Sequence, residues 1–281
     1  LNKFADDGGR ESPSPGSTDS AWNNTRITTT LPAPSQRLVV SSIDEHTPNF
    51  SGSKTNTVYD SGLDALKITV TNNATATSGE YLFANSVDLT QPYDVNIKKI
   101  LEGTTFYTTT LWDSRTDLID TWGSIDTIGS ANANATKADA KVYIRSTNDN
   151  PSGSPTWSPY KEFSNVLITG RAFQFKAILT SSDTTQNIAV TKLGATLELQ
   201  GRVESISTPV TTGSSQYTVS FANPFKQTPT VVVTPTNQQS GDFHELANIS
   251  RTGFQVTFKN GSAAVPRSFV WAASGFGKEV T

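Results

Sequence analysis

The side chains of this 281-residue sequence that could do chemistry are few: two histidines, scattered carboxylates and five tryptophans. His46 and His244 are the only imidazoles, and cysteine is absent. A zinc site built on imidazoles would need both histidines, which fall in different predicted units. Thiolate ligands and disulfides are excluded outright. No metal is therefore expected. Asp113, Asp117, Asp120 and Asp126 cluster in the irregular stretch "LWDSRTDLIDTWGSIDTIGSANANATKADA", Leu111–Ala140. A glycosidase requires two carboxyls roughly 5–9 Å apart, one with its pKa raised by burial. A polar loop does not supply that burial, and no D-x-[DN]-x-[DN]-G run marks a calcium loop. A solvated face is the plainer reading of the cluster. Nucleophile elbow, P-loop and dinucleotide fingerprint are also missing. The expectation is a protein without enzyme activity or cofactor.

Binding is the remaining chemistry. Aromatic rings offer large, flat contact area with a polar handle and dominate interface energetics. Trp112 and Trp122 lie in the long irregular stretch, where surface binding and packing of a covering flap are equally open. Trp157, beside Tyr160, and Tyr93 also fall near predicted loops. Trp271 sits inside a strand and reads as core. Two polar loops add hydrogen-bonding groups: "TNQQSGDFHEL" (Thr236–Leu246), with Asp242 and His244, and "KNGSAAVPR" (Lys259–Arg267), with Lys259, Asn260 and Arg267. These five residues, with Trp112 and Trp122, are the candidate ligand-binding set.

The elements that must position them are strands. Charged residues make up only 17%, below the usual quarter, and Thr, Ser and Asn take their place. Such residues favour strands and turns. Period-2 alternation recurs. "ALKITVT" (Ala65–Thr71) puts Leu66, Ile68 and Val70 on one face, and "KVYIRST" (Lys141–Thr147) sets Val142 and Ile144 against Tyr143 and Arg145. "AFQFKAIL" (Ala172–Leu179) aligns Phe173, Phe175, Ala177 and Leu179, and "KLGATLELQG" (Lys192–Gly201) aligns Leu193, Ala195, Leu197 and Leu199. No helical period persists beyond two turns. The fold class that follows is all-β, built of antiparallel sandwiches.

Three segments are expected. Residues 1–35 are poor in apolar groups and rich in Pro, Gly and Ser, the composition of a linker or stalk connection. Residues 36–205 form a jelly-roll-like β-sandwich whose last strand ends near Leu199. A polar, turn-rich stretch, Leu199–Gln216, then leads into a second sandwich over 206–281. Its strands are "YTVSF", "TPTVVVTPT", "ELANIS", "GFQVTFKN" and "RSFVWAASG". A unit of that size has a marginal core, which association would remedy. The net charge of -3 with scattered Lys and Arg argues against nucleic acid. No apolar run of about 18 residues is present to cross a membrane. Methionine is absent, even at position 1, which reads as a fragment or processed piece of a longer chain.

Residues Trp157–Arg202 carry "WSPYKEF", "RAFQFKAIL", "TSSDTTQ" and "LGATLELQGR". This stretch resembles the C-terminal region of tail-tip host-specificity proteins, the central tail fibres of long-tailed bacteriophages. The likeness spans roughly Leu66–Ser205. The last unit, with "VSFANPF", "PTVVVTP", "RTGFQVTF" and "FVWAASGFG" over Tyr217–Lys278, is similar to H-type lectin domains and related fibre tips. The resemblance implies a six-stranded antiparallel sandwich that trimerises and binds sugars at subunit edges. It also implies virion location, attachment to a host surface polysaccharide or outer-membrane receptor, and contact with other tail-tip proteins. The lectins' Trp-His pair after the Thr-Gly-Phe strand is missing here, so their sugar specificity does not carry over. A purely structural tail-tip or fibre segment, a secreted carbohydrate-binding module and a depolymerase remain open beside it.

Overall fold

Alternation of apolar and polar residues along long strands dictates the architecture. The structure is a computed structural model that describes residues 36–72, 74–108 and 136–280. The expected linker, the four clustered aspartates, Trp112 and Trp122 all lie outside the described residues. Arg37–Thr281 belongs to one compact unit. It opens with β1 (Arg37–Asp44), β2 (Ser53–Thr55), β3 (Thr57–Asp60), β4 (Ala65–Ile68), the small pair β5 (Val70–Thr71) and β6 (Ala74–Thr75), and β7 (Ser78–Leu82). Long strands follow: β8 (Val87–Tyr107), β9 (Ala138–Thr147), β11 (Asn165–Ser181) and β12 (Gln186–Thr211), with the short β10 (Lys161–Glu162) between β9 and β11. The chain closes with β13 (Tyr217–Ser220), β14 (Thr230–Pro235), β15 (Asp242–Ser250), β16 (Gly253–Asn260), β17 (Ala263–Ala264) and β18 (Ser268–Phe276). All strand pairs are antiparallel, and the described residues contain no helix. The chain is all-β.

A 12-stranded sheet runs in the order β10-β9-β11-β8-β12-β18-β14, with β1 and β4 also paired to β12 and β7 to β11. Its inward residues form the first core. Most of the sets read from alternation are buried there: Leu66 and Ile68, Val142 and Ile144, Phe173 to Leu179 at every second position, and Leu193 to Leu199 likewise. Val70, expected on the face of Leu66 and Ile68, is only half-buried and pairs in the small β5-β6 sheet. Register sets Ile144 opposite Phe175 and Ile97 opposite Leu197, so apolar partners meet across the strands. Each such burial contributes about 1.5–3 kcal/mol.

The second core lies between two layers. One is β12-β18-β14 and the other is β13-β16-β15, with β17 on β16. Phe254, Val256 and Phe258 face Phe269, Trp271 and Ala273 across it, closed by Phe221 and Phe225. Trp271 stacks tilted on Phe221 at 5.6 Å and edge-on to Phe254 at 5.7 Å, a core position. Gly253 has a steric reason. A Cβ there would sit 2.1 Å from the Val219 carbonyl oxygen of β13, so any other residue would push the strands apart.

The end of the first sandwich differs from the sequence reading. The strand expected to stop near Leu199 continues to Thr211 as part of β12. Up to Gln200 it pairs with β8 and β1, and from Gly201 it pairs with β18. The stretch read as turn-rich keeps its backbone hydrogen bonds simply by changing partner. Pro209, which cannot donate to a ladder, falls in the irregularity between Ile206 and Val210. One strand therefore serves both cores.

The C-terminus ties the cores together a second time. Tyr93 of β8 bridges to Glu279, and Val280 donates its N–H to the Pro92 carbonyl at 3.0 Å. The Arg251 guanidinium reaches the Glu279 carboxylate and the Tyr93 hydroxyl, the latter at 3.2 Å. Lys226 lies over the Tyr93 ring at 5.0 Å and donates to the Leu89 carbonyl at 2.8 Å. Truncation of Arg251 to alanine leaves the nearly buried Glu279 without its cation. The expected loss is about 1–3 kcal/mol, read as a lower urea midpoint. An unchanged midpoint would show that the latch does not bind the cores together.

Candidate functional site

The polar candidates on the second core come together, chiefly to bond one another. The strand β15 begins at Asp242, not at Glu245, so Asp242 and His244 are strand residues rather than loop residues. Likewise Lys259 and Asn260 end β16, and the chain turns through Gly261 and Ser262 to pair Ala263 and Ala264 back on them. The Asp242 carboxylate accepts from Arg267 Nε at 2.5 Å and Nη2 at 3.0 Å, from Asn260 Nδ2 at 2.9 Å and from the Gln239 N–H at 2.6 Å. These contacts occupy both lone pairs of each oxygen. Its side chain is shut from solvent, and Arg267 is nearly so. Lys259 pairs with Glu245 at 2.7 Å. The His244 ring lies 5.5 Å from the Phe258 ring across the ladder. Asp242, Asn260 and Arg267 thus form a clamp that closes the end of the sandwich, with little capacity left for a ligand.

The Arg267 guanidinium beside Asp242 holds its carboxyl well below the usual carboxylate range, helped by Asn260 and the Gln239 N–H. The unfolded chain therefore takes up the proton first. The clamp's contribution is complete above the ordinary aspartate pKa of about 3.9 and is lost as pH falls below it. Replacing Asp242 with Asn should lower the urea midpoint at neutral pH. The gap from the unsubstituted chain should narrow at about pH 2.5; a gap of constant size would overturn this role.

A different arrangement stands on the first core, built on β9 and β11. Val142 and Ile144 point inward, so Arg145 projects outward, opposite Gln174. Both Nε and Nη2 of Arg145 donate to Gln174 Oε1, at 2.9 and 2.5 Å. The following segment, "NDNPSGSPTWSPYKEF", folds back onto β9. Ser146 and Ser158 hold it, Ser146 N–H donating to Ser158 Oγ at 3.0 Å and Ser158 N–H to the Ser146 carbonyl at 2.9 Å. Thr156 N–H donates to Asp149 at 2.7 Å, and buried Phe163 anchors the far end. Pro151, Pro155 and Pro159 stiffen it. The result is a pinned aromatic shelf. The Arg145 guanidinium carbon lies 5.0 Å from the Trp157 ring centre and 4.7 Å from that of Tyr160, and Lys176 Nζ is also 4.7 Å from Tyr160. Both rings remain partly exposed. The Tyr160 hydroxyl is buried and has no hydrogen-bond partner. Burial pushes this phenol up, partly offset by the Arg145 and Lys176 charges.

Gln174 also lines a cavity of about 320 Å³ beside the shelf, where Ser51, Ser53, Asn85 and Ser86 stand over Phe83 and Phe175. Buried Tyr81 fixes its walls. Its hydroxyl accepts the Gly52 N–H at 2.8 Å and donates to buried Glu45 at 2.5 Å, and Glu45 accepts the Ala84 N–H at 2.9 Å. Gly52 is required by close approach, since a Cβ there would lie 2.1 Å from the Leu82 carbonyl oxygen. Burial, with Glu45 beside it, pushes the Tyr81 phenol up. A second concavity of about 570 Å³ contains His46, Leu63 and Lys192. Three of its polar side chains are already paired: His46 with Asp64 at 3.1 Å, Asp64 with the Tyr59 hydroxyl at 2.7 Å, and Lys192 with Glu102 at 3.1 Å.

The sequence reading placed Trp157 and Tyr160 among the aromatics near loops but left them out of the ligand-binding set. It also grouped Tyr93 with them, whereas Tyr93 is buried in the latch. Arg145 was seen only as an outward strand residue. The signal that could have found the shelf is an outward arginine followed by a Pro-spaced Trp and Tyr. No protein-family model, curated protein or solved structure was found to match the chain.

Proposed function

We propose that this chain is the receptor-binding part of a bacteriophage tail tip or fibre, attaching the virion to a glycan of the host surface as a trimer. The observation that carries this reading is the pinned shelf of Trp157, Tyr160 and Arg145 beside a polar cavity. A saccharide ring needs a flat apolar face, hydrogen-bonding groups around it and little rearrangement on binding. Trp157 and Tyr160 supply the face. Gln174, Asn85 and the serines supply the bonds, and the pinned segment keeps the ordering cost low. Each shelf would bind weakly, and several acting together would bind firmly.

Association is supported by an uncharged sheet face. Val203, Ser274 and Thr230 lie side by side across β12, β18 and β14, followed by Ser205, Ala272 and Val232. Val203 and Val232 are 65% and 57% exposed, and β14 pairs on one side only within the described sheet. An open apolar edge of this kind calls for a cover. A second reading, a segment that only stiffens the fibre, is favoured by the saturated Asp242 clamp at the end of the second sandwich.

Two experiments test the proposal. The full chain is assayed against a panel of bacterial surface polysaccharides. Trp157→Ala should weaken capture about 30-fold, as removal of an aromatic anchor does, with an unchanged melting temperature. Capture that survives this substitution would favour the stiffening role. Light scattering should give three times the 30.2 kDa chain mass, falling to one on Val232→Asp. A monomeric parent chain would overturn the trimer.

A further inference from the structure

We infer that the shelf selects an acidic sugar, with Arg145 receiving the carboxylate. This rests on the reading that the shelf binds a surface glycan. Every other arginine among the described residues faces a carboxylate: Arg37 faces Glu198, Arg171 Asp88, Arg202 Glu204, Arg251 Glu279 and Arg267 Asp242. Arg145 faces a neutral amide. Gln174 holds the guanidinium in place through Nε and Nη2 without neutralising it. The acids nearby are engaged elsewhere. Glu80 pairs with Lys176, Glu162 pairs with Lys141 at 3.2 Å, and Asp149 accepts from Thr156. The shelf therefore carries an uncompensated positive charge, oriented and partly desolvated between two rings.

Such a charge has a chemical complement. A guanidinium presents parallel N–H donors that match a planar carboxylate, and the pair strengthens where water is excluded. The Tyr160 hydroxyl, beside the same guanidinium, lacks an acceptor in the free protein. An isolated inorganic anion would leave the Trp157 ring and the cavity beyond Gln174 unused. A hexuronic acid residue would engage all three, with its carboxylate on Arg145, its ring against Trp157 and its neighbouring hydroxyls toward Asn85 and Ser86.

The test uses the full chain and three immobilised probes: polygalacturonate, its methyl-esterified neutral form, and dextran. The expected result is at least tenfold tighter capture of polygalacturonate than of the ester. The ratio should fall to about one for Arg145→Gln and be reduced for Tyr160→Phe. The latter change should leave thermal stability equal or higher, because it removes an unpaired buried hydroxyl; a clear fall would mean that the hydroxyl is structural and would count against the inference. Equal capture of acid and ester, lost on Trp157→Ala, would overturn the acidic preference while keeping the glycan reading. Capture of none of the probes, or capture indifferent to Trp157→Ala, would overturn both. Inorganic sulfate competing as well as free galacturonate would reduce the site to a bare anion contact and overturn the inference.

Discussion

Strand β12 is the constraint on which the rest of the structure depends. It is 26 residues long, far beyond the usual five or six, and it gives its first half to one core and its second half to another. A strand can do this only if its backbone finds partners throughout. β8 and β1 supply them up to Gln200, and β18 supplies them from Gly201. Because side chains alternate with a period of two, the register set by Leu193 to Leu199 runs on until the irregularity after Ile206. That phase aims Ile206 at the second core and leaves Val203 and Ser205 outside. The uncharged outer face is thus a consequence of the first core's register.

The latch of Arg251, Glu279 and Tyr93 has a related logic. Two sandwiches joined by one strand could rotate about it. The C-terminal segment crosses back to β8 and prevents this with a backbone bridge, a half-buried ion pair and Lys226 over the Tyr93 ring. The two cores therefore belong to one compact unit.

Polar groups are used differently in the two sandwiches. In the second, Asp242, Arg267, Asn260 and Gln239 satisfy one another, and the residue types that invite a ligand are consumed by structure. In the first, Arg145 is held by Gln174 and two rings, and Tyr160 keeps an unpaired hydroxyl. An unpaired buried polar group costs on the order of 1–3 kcal/mol. Its persistence at a pinned surface, beside a cavity, singles that surface out from the rest of the molecule.

By itself the sequence determined the strand content and most of the inward faces. Alternation is a local property, and burial of Phe173 to Leu179 or Leu193 to Leu199 follows from it directly. It also placed Trp271 in the core. Tertiary structure decided what pairs with what. The partner change along β12 was invisible, because Val203–Thr211 reads as a polar loop until β18 lies beside it. Asp242 looked free until Arg267, 25 residues away in sequence, folded onto it. Arg145, Trp157 and Tyr160 came together only when Ser146 and Ser158 closed the loop between them. Whether a polar side chain is available to a ligand depends on which groups reach it first, and long-range contacts set that.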